Sequence, residues 1–251
     1  YEKDIISISQ VNYCVDSLDE NEAEIRFMWE LDIPGEMLKK DNYVVISAKC
    51  GNSDIEVREK VYFKLGKAVV KVHNPKVWWP YGYGEANVYD AVISVESDGI
   101  IVSEKRFNLG IKTVHLERTD ITDGINGRFE FIINGVRIIC KGANWVQLDA
   151  YHSRDITRYD KALDLLKDVG ANIVRCWGGN VYEQDCFYDF CDKNGIMVWQ
   201  DFAMGCATYP QNREFLEKMR VETEFIVKKL RKHTSLALWA GDNECDAASE
   251  W

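Results

Sequence analysis

The stretch Leu238-Trp239-Ala240-Gly241-Asp242-Asn243-Glu244-Cys245 places an amide and two carboxylates directly after an apolar run. Three earlier stretches share this grammar. Asn144, Trp145 and Asp149 follow a run at 138–143. Arg175, Trp177 and Gly178-Gly179-Asn180 close a run at 171–176, and Trp199, Gln200 and Asp201 close one at 196–200. Singly, each residue reads equally well as a capping Asp, a packed Trp or half of a buried ion pair. Repetition at four run ends favours one shared rim. Carboxylates, amides, an Arg and Trp suit a polyhydroxylated ligand, because the polar groups bond vicinal hydroxyls and an indole covers the C–H face of a sugar ring. Cleaving a glycosidic bond needs two carboxyl groups across it, one of them protonated near neutral pH. Glu244 is the candidate acid. It stands at the end of a hydrophobic run, behind Trp239, where burial or a like-charged neighbour would favour the protonated form. Asn243 can hydrogen-bond a substrate hydroxyl. Asp242 is a second carboxylate, two positions from Glu244 and so on its side of an extended chain.

Bringing such run ends together requires a parallel sheet. After about residue 117, "GRFEFIINGVRIICKGANW" signals a hairpin around Asn134-Gly135. "TRYDKALDLLKDVG" predicts a helix whose apolar face is Ala162, Leu163, Leu165, Leu166 and Val169, with Gly170 as its stop. "EQDCFYDFCDKNG" predicts a second, ended by Gly195. "NREFLEKMRVETEFIVKKLRKH" predicts a third, with basic residues at its end that complement the helix dipole. Short apolar strands near 138–143, 171–176, 196–200 and 236–240 alternate with these helices, the pattern of βαβ units under a helical cover. A doubly wound open sheet and part of a TIM (β/α)8 barrel both fit. In a barrel the C-terminal strand ends carry the active site. No GxGxxG or GxxxxGK[ST] follows a strand, which argues against a fold that binds a nucleotide or a small phosphorylated ligand.

Residues 1 to about 116 have a period of two instead. "DIISISQVNY", "EAEIRFMWEL", "NYVVISAKC", "KAVVKVHNP", "VYDAVISVES" and "GIIVSEKRFNL" read as strands, with Asp98-Gly99 as a hairpin turn and breaks at Gly51-Asn52 and Asn74-Pro75. About seven strands at this spacing predict an immunoglobulin-like antiparallel β-sandwich. The expected domains are therefore 1–116 and 117–251.

Composition bounds the rest. At 251 residues and 46% hydrophobic content, the chain can bury one large core or two ordinary ones. A net charge of −10 without a basic stripe argues against nucleic-acid binding, and no apolar run reaches membrane-spanning length. The eight Cys form no CxxC and the four His form no ligand spacing, so free thiols, no metal and no cofactor are expected. The chain begins at Tyr1 rather than Met, and no compartment is read from it.

"KGANW", "ANIVRCWGGNVYEQDCFYDFCDKNGIMVWQDF", "LWAGDNE" and, in the first half, "VWWPYGYGEANVYD" resemble the β-mannosidase branch of glycoside hydrolase family 2. The resemblance covers essentially the whole chain. It implies an immunoglobulin-like domain followed by the first four βα units of a TIM barrel. It also implies retaining, double-displacement hydrolysis of terminal non-reducing β-D-mannose. Carried over, Glu244 matches the acid/base and Asn243 the amide that contacts the sugar 2-hydroxyl. Arg175 and Trp177 match the terminal-sugar subsite, Trp199 and Asp201 its rim, and Asn144 and Asp149 the first-strand segment. Asp242, Gln147 and Asn180 depart from the Asn, Pro and Gly usual in that branch. Within the family, a glucosaminidase, glucuronidase or galactosidase is the runner-up. Outside catalysis, a carbohydrate-binding protein on the same fold is the alternative, although such a module has no need of a carboxyl on that rim.

An eight-strand barrel takes about 250 residues, and the family's nucleophile comes from a later strand. The chain therefore reads as an internal fragment that binds a glycoside with half a site and is expected to self-associate through uncovered apolar surface. The 251-residue chain alone is expected to give no turnover of an aryl β-mannoside; measurable release of the phenol would overturn the half-site reading.

Overall fold

The computed structural model describes residues 6–120, 125 and 127–248. It divides into two compact units, Tyr1–Val77 with Asn87–Thr113, and Trp78–Ala86 with Val114–Trp251. The main division falls between Thr113 and Val114. The nine residues 78–86, which sequence order assigns to the first region, pack instead with the second.

The first unit has seven strands: β1 Ser7–Leu18, β2 Glu22–Asp32, β3 Asn42–Cys50, β4 Ser53–Lys60, β5 Leu65–His73, β6 Tyr89–Ser97 and β7 Ile100–Leu109. They form two antiparallel sheets, β1-β2-β5 and β4-β3-β6-β7. Alternation assigns the faces. Ile25, Phe27 and Leu31 on β2 meet Val44 and Ile46 on β3, and Ile93 and Val95 on β6, in one core. The Asp98-Gly99 hairpin has φ of 51° and 81°, the positive pair that a tight two-residue turn requires.

The second unit opens with an antiparallel sheet of β8 Val114–Arg118, β9 Phe129–Ile133 and β10 Val136–Ile138, turning at Asn134-Gly135. A parallel sheet follows in the order β11 Gly142–Trp145, β12 Ile173–Cys176, β13 Met197–Asp201, β14 Leu236–Ala240. Helices α1 Tyr159–Asp168, α2 Asp185–Asn194 and α3 Arg213–Leu230 intervene, and a short α4 spans Cys245–Ala248. The first parallel strand starts at Gly142 rather than 138, because Val136–Ile138 is already committed to β9 across the hairpin. Asn144 and Trp145 therefore lie inside β11 and not beyond it.

Alternation again decides the faces. Val174, Cys176 and Val198 point into a core with Leu163 and Leu166 of α1, Phe187, Tyr188 and Cys191 of α2, and Ile226 and Leu230 of α3. The apolar face of α1 is narrower than expected: Tyr159, Leu163 and Leu166 are buried, while Leu165 and Val169 are exposed. The buried three are spaced i, i+4, i+7, one stripe of a 3.6-residue period, and Leu165 and Val169 fall off it. None of the eight cysteines is paired, and two, Cys176 and Cys191, are buried. Among the described residues no helix is long and apolar enough to cross a membrane.

Asp192 braces this unit. Fully buried at the end of α2, it accepts Ser235 N–H at 2.7 Å and faces His233 Nδ1 at 2.8 Å, and its carbonyl accepts Trp78 Nε1–H at 2.7 Å. His233 stacks on Tyr188. Three residues on, Gly195 ends α2 at φ 69° and bonds Tyr81 N–H; a Cβ there would stand 2.8 Å from both Trp79 O and Tyr81 N. Removing a buried carboxylate leaves its donors unpaired. Asp192→Ala is therefore expected to cost about 3 kcal/mol, read as a lower urea midpoint for the second unit; an unchanged midpoint would show that the brace is dispensable.

Candidate active site

The sheet face away from the helices carries the polar residues. Asn144, Arg175 and Trp199 are register neighbours across β11, β12 and β13, so their side chains form one row. Asp201, two residues past Trp199, lies on the same side. Its side chain is fully buried and draws three donors. Arg175 Nη2 stands 2.6 Å away, Gly178 N–H bonds it at 3.1 Å and Trp199 Nε1–H at 3.0 Å. A buried carboxylate requires this pairing. The Arg175 guanidinium also donates to Asn243 Oδ1 at 2.8 Å and lies over the Trp199 ring. Residues from the ends of three strands thus meet at one point.

Gly178 and Gly179 make room for it. A Cβ on Gly178 would approach Met204 O to 2.4 Å, and one on Gly179 would enter the Trp177 ring at 2.0 Å. Beside the row, Phe129, Phe131, Asn144, Arg175 and Trp199 line a cavity of about 410 Å³, with the Phe129 and Trp199 rings 5.6 Å apart. An aromatic wall with one Arg and one amide can hold an apolar ring face and bond its hydroxyls.

Asn243 is buried and held through its backbone too. Its N–H donates to Met204 O at 2.9 Å and its C=O accepts Cys206 N–H at 2.8 Å. Glu244 follows with φ of 58°. Glu244 is exposed, contrary to the burial expected behind Trp239, because β14 ends at Ala240 and the chain has left the sheet by residue 244. Trp239 stacks on Phe202 instead. Asp242 does not pair with Glu244 either; its carboxylate accepts Cys245 N–H at 3.1 Å and caps the start of α4.

Asp149 stays outside the cluster. It pairs with Arg158 at 2.7 Å and accepts Tyr151 N–H, fixing the turn before α1. Trp145 and Gln200 point to the helical side, where Gln200 accepts from the Tyr188 hydroxyl and Trp145 Nε1–H donates to Glu183. Sequence reasoning missed Glu183, a buried carboxylate that also accepts from Asn180 Nδ2 and the Tyr159 hydroxyl. Burial, then that bond, pushes the Tyr159 hydroxyl well above the ordinary phenol range, so it stays a donor. It also missed Phe129, which its hairpin carries under the Trp199 ring. Among the described residues, Asp189, Asp192 and His233 bring possible metal-ligand atoms within 4.8 Å of one another. Both Asp192 oxygens are already hydrogen-bonded, however, so the group works as a brace.

Asp201→Ala is expected to unpair Arg175 and Trp199 Nε1–H together, cost about 3 kcal/mol, and shift tryptophan emission through Trp199. Native-like emission with an unchanged melting midpoint would contradict the pairing described.

The chain is similar to several known proteins. Residues 11–112 match glycosyl hydrolases family 2. The chain is 38% identical over 204 residues to a beta-mannosidase of Capra hircus, covering 78% of this chain and 22% of that protein. It is 35% identical over 225 residues to a probable beta-mannosidase of Caenorhabditis elegans, covering 88% of this chain and 24% of the relative. The chain thus spans about a quarter or less of these relatives' length. The crystal structure of beta-D-mannosidase from Dictyoglomus thermophilum superposes with a TM-score of 0.84 at 34% identity, over 95% of this chain and 30% of that one. A Bifidobacterium dentium beta-glucuronidase superposes at 0.78 with 20% identity, over 97% of this chain and 40% of that one, a likeness of fold.

Proposed function

We propose that this homologue of the beta-mannosidases of glycosyl hydrolases family 2 supplies the acid/base half of a retaining glycosidase that removes terminal β-linked mannose. The observation that carries the reading is the Arg175–Asn243 bond, which sets Glu244 at the C-terminal edge of a parallel sheet. In this reading the first unit is an immunoglobulin-like sandwich. The parallel sheet is the first four strands of a (β/α)8 barrel, its helices outside and its Asn144–Arg175–Trp199 row inside.

The roles follow from what each group can reach. Glu244, exposed and without a cationic partner among the described residues, protonates the departing glycosidic oxygen and then takes a proton from water. Arg175 and Asp201 hold the Asn243 amide against the sugar. Trp199 and Trp177 cover its apolar face, and Asn144 extends the polar row. Asp149 serves the fold of the turn. The nucleophile must stand roughly 5–5.5 Å from the acid. Asp201 is saturated by Arg175, Gly178 and Trp199, and Asp242 caps α4. We therefore assign the nucleophile to neither Asp201 nor Asp242.

In a protein that carries this chain with its whole barrel, nitrophenyl β-mannoside is expected to be hydrolysed in preference to the β-glucoside, β-galactoside and β-glucuronide; another order refutes the sugar assignment. Glu244→Gln is expected to lower kcat at least about a hundredfold, and unchanged turnover removes Glu244 from the mechanism.

A further inference from the structure

Among the described residues, five other than glycine have positive φ: Asn74, Asp98, Asn134, Cys206 and Glu244. Three are Asn or Asp, types that tolerate the left-handed region. Cys206 and Glu244 are not, and such backbone persists only where the surroundings impose it. The two strained residues touch. Cys206 Sγ lies 3.5 Å from Glu244 Oε2 and accepts Asn243 Nδ2–H at 3.2 Å. The segments that carry them are zipped by two backbone bonds, Asn243 N–H to Met204 O and Cys206 N–H to Asn243 O. The Tyr209 hydroxyl accepts Gly205 N–H at 2.9 Å and holds the turn from the other side.

The geometry points to Cys206 as a positioning residue for Glu244. This rests on the reading of Glu244 as the acid/base. A thiol can donate through its hydrogen and accept on sulfur at once. Cys206 therefore links the carboxylate that moves the proton to the amide that meets the sugar, and fixes their relative placement. Exposed as it is, Glu244 would otherwise sample its rotamers in water. The left-handed turn at 206 aims the thiol at residue 244, and the left-handed turn at 244 returns the carboxylate to it. Cys206 acts through Glu244 and Asn243.

The test uses a protein that carries this chain with its whole barrel, and two mannosides. An alkyl β-mannoside needs an acid to expel its leaving group; a dinitrophenyl β-mannoside does not. Cys206→Ala is expected to lower kcat/KM for the alkyl substrate about tenfold, and for the dinitrophenyl substrate less than about twofold. Cys206→Ser, which keeps a donor and an acceptor, is expected to recover most of the loss. Cys206→Gly suits the backbone at 206 and removes the thiol without strain, so it carries the test if the alanine variant does not fold, with the same selective loss expected. Wild-type kcat/KM in Cys206→Gly, or an equal fall on both substrates, overturns the positioning role. Glu244→Ala separates the two levels. If azide restores its turnover of the dinitrophenyl mannoside, the reading of Glu244 stands whatever Cys206 does; if the variant turns over the alkyl substrate at the wild-type rate, both fall.

Discussion

A carboxylate with no exposed surface must be paired, and Asp201 sets the terms for everything around it. Its two oxygens take a guanidinium from β12, an indole from its own strand and a backbone N–H from the turn after β12. The turn comes close enough only because residue 178 has no side chain. Arg175, so held, extends the same Nη2 to Asn243, and the end of the fourth strand is placed by a charge on the third. The orientation of the Asn243–Glu244 pair is thus inherited from the Arg175–Asp201 ion pair at the strand ends.

Two further buried acids brace the other side of the sheet. Glu183 gathers Trp145, Asn180 and Tyr159, joining β11 to the loop after β12 and to α1. Asp192 joins α2 to the start of β14 and to residues 78–86. The sheet is held from its open face by Asp201 and from its helical face by Glu183 and Asp192. Each is saturated by donors, which is the condition for a buried charge to organise a fold rather than disrupt it.

Local features were legible in the sequence. Asp98-Gly99, Asn134-Gly135 and Gly195 act where their types demand, and period-two and period-3.6 patterns separate the two kinds of sheet. Arg175, Trp199, Asp201 and Asn243 were legible as rim residues because strand ends mark them. What escaped was non-local. The membership of residues 78–86 depends on Trp78 reaching Asp192 and Tyr81 reaching Gly195. Asp149 looked like a rim acid but answers to Arg158, nine positions on. Glu244 was expected under Trp239, and the loop after β14 carries it into solvent. The Cys206 contact has no sequence signal, because it exists only where two loops meet.

The excursion of residues 78–86 bears on how the chain is made. Val77 and Asn87 stand at its neck, where Asn87 Nδ2 donates to Val77 O. Trp78 finds its acceptor 114 residues later. At roughly 5–20 residues per second, a nascent chain exposes that indole for on the order of ten seconds before Asp192 exists. The seven strands of the first unit can pair in that interval. The loop they extrude, with two tryptophans and two tyrosines, waits on the ribosome as an unburied aromatic hook, and its capture by the arriving α2 is a late step of folding by necessity.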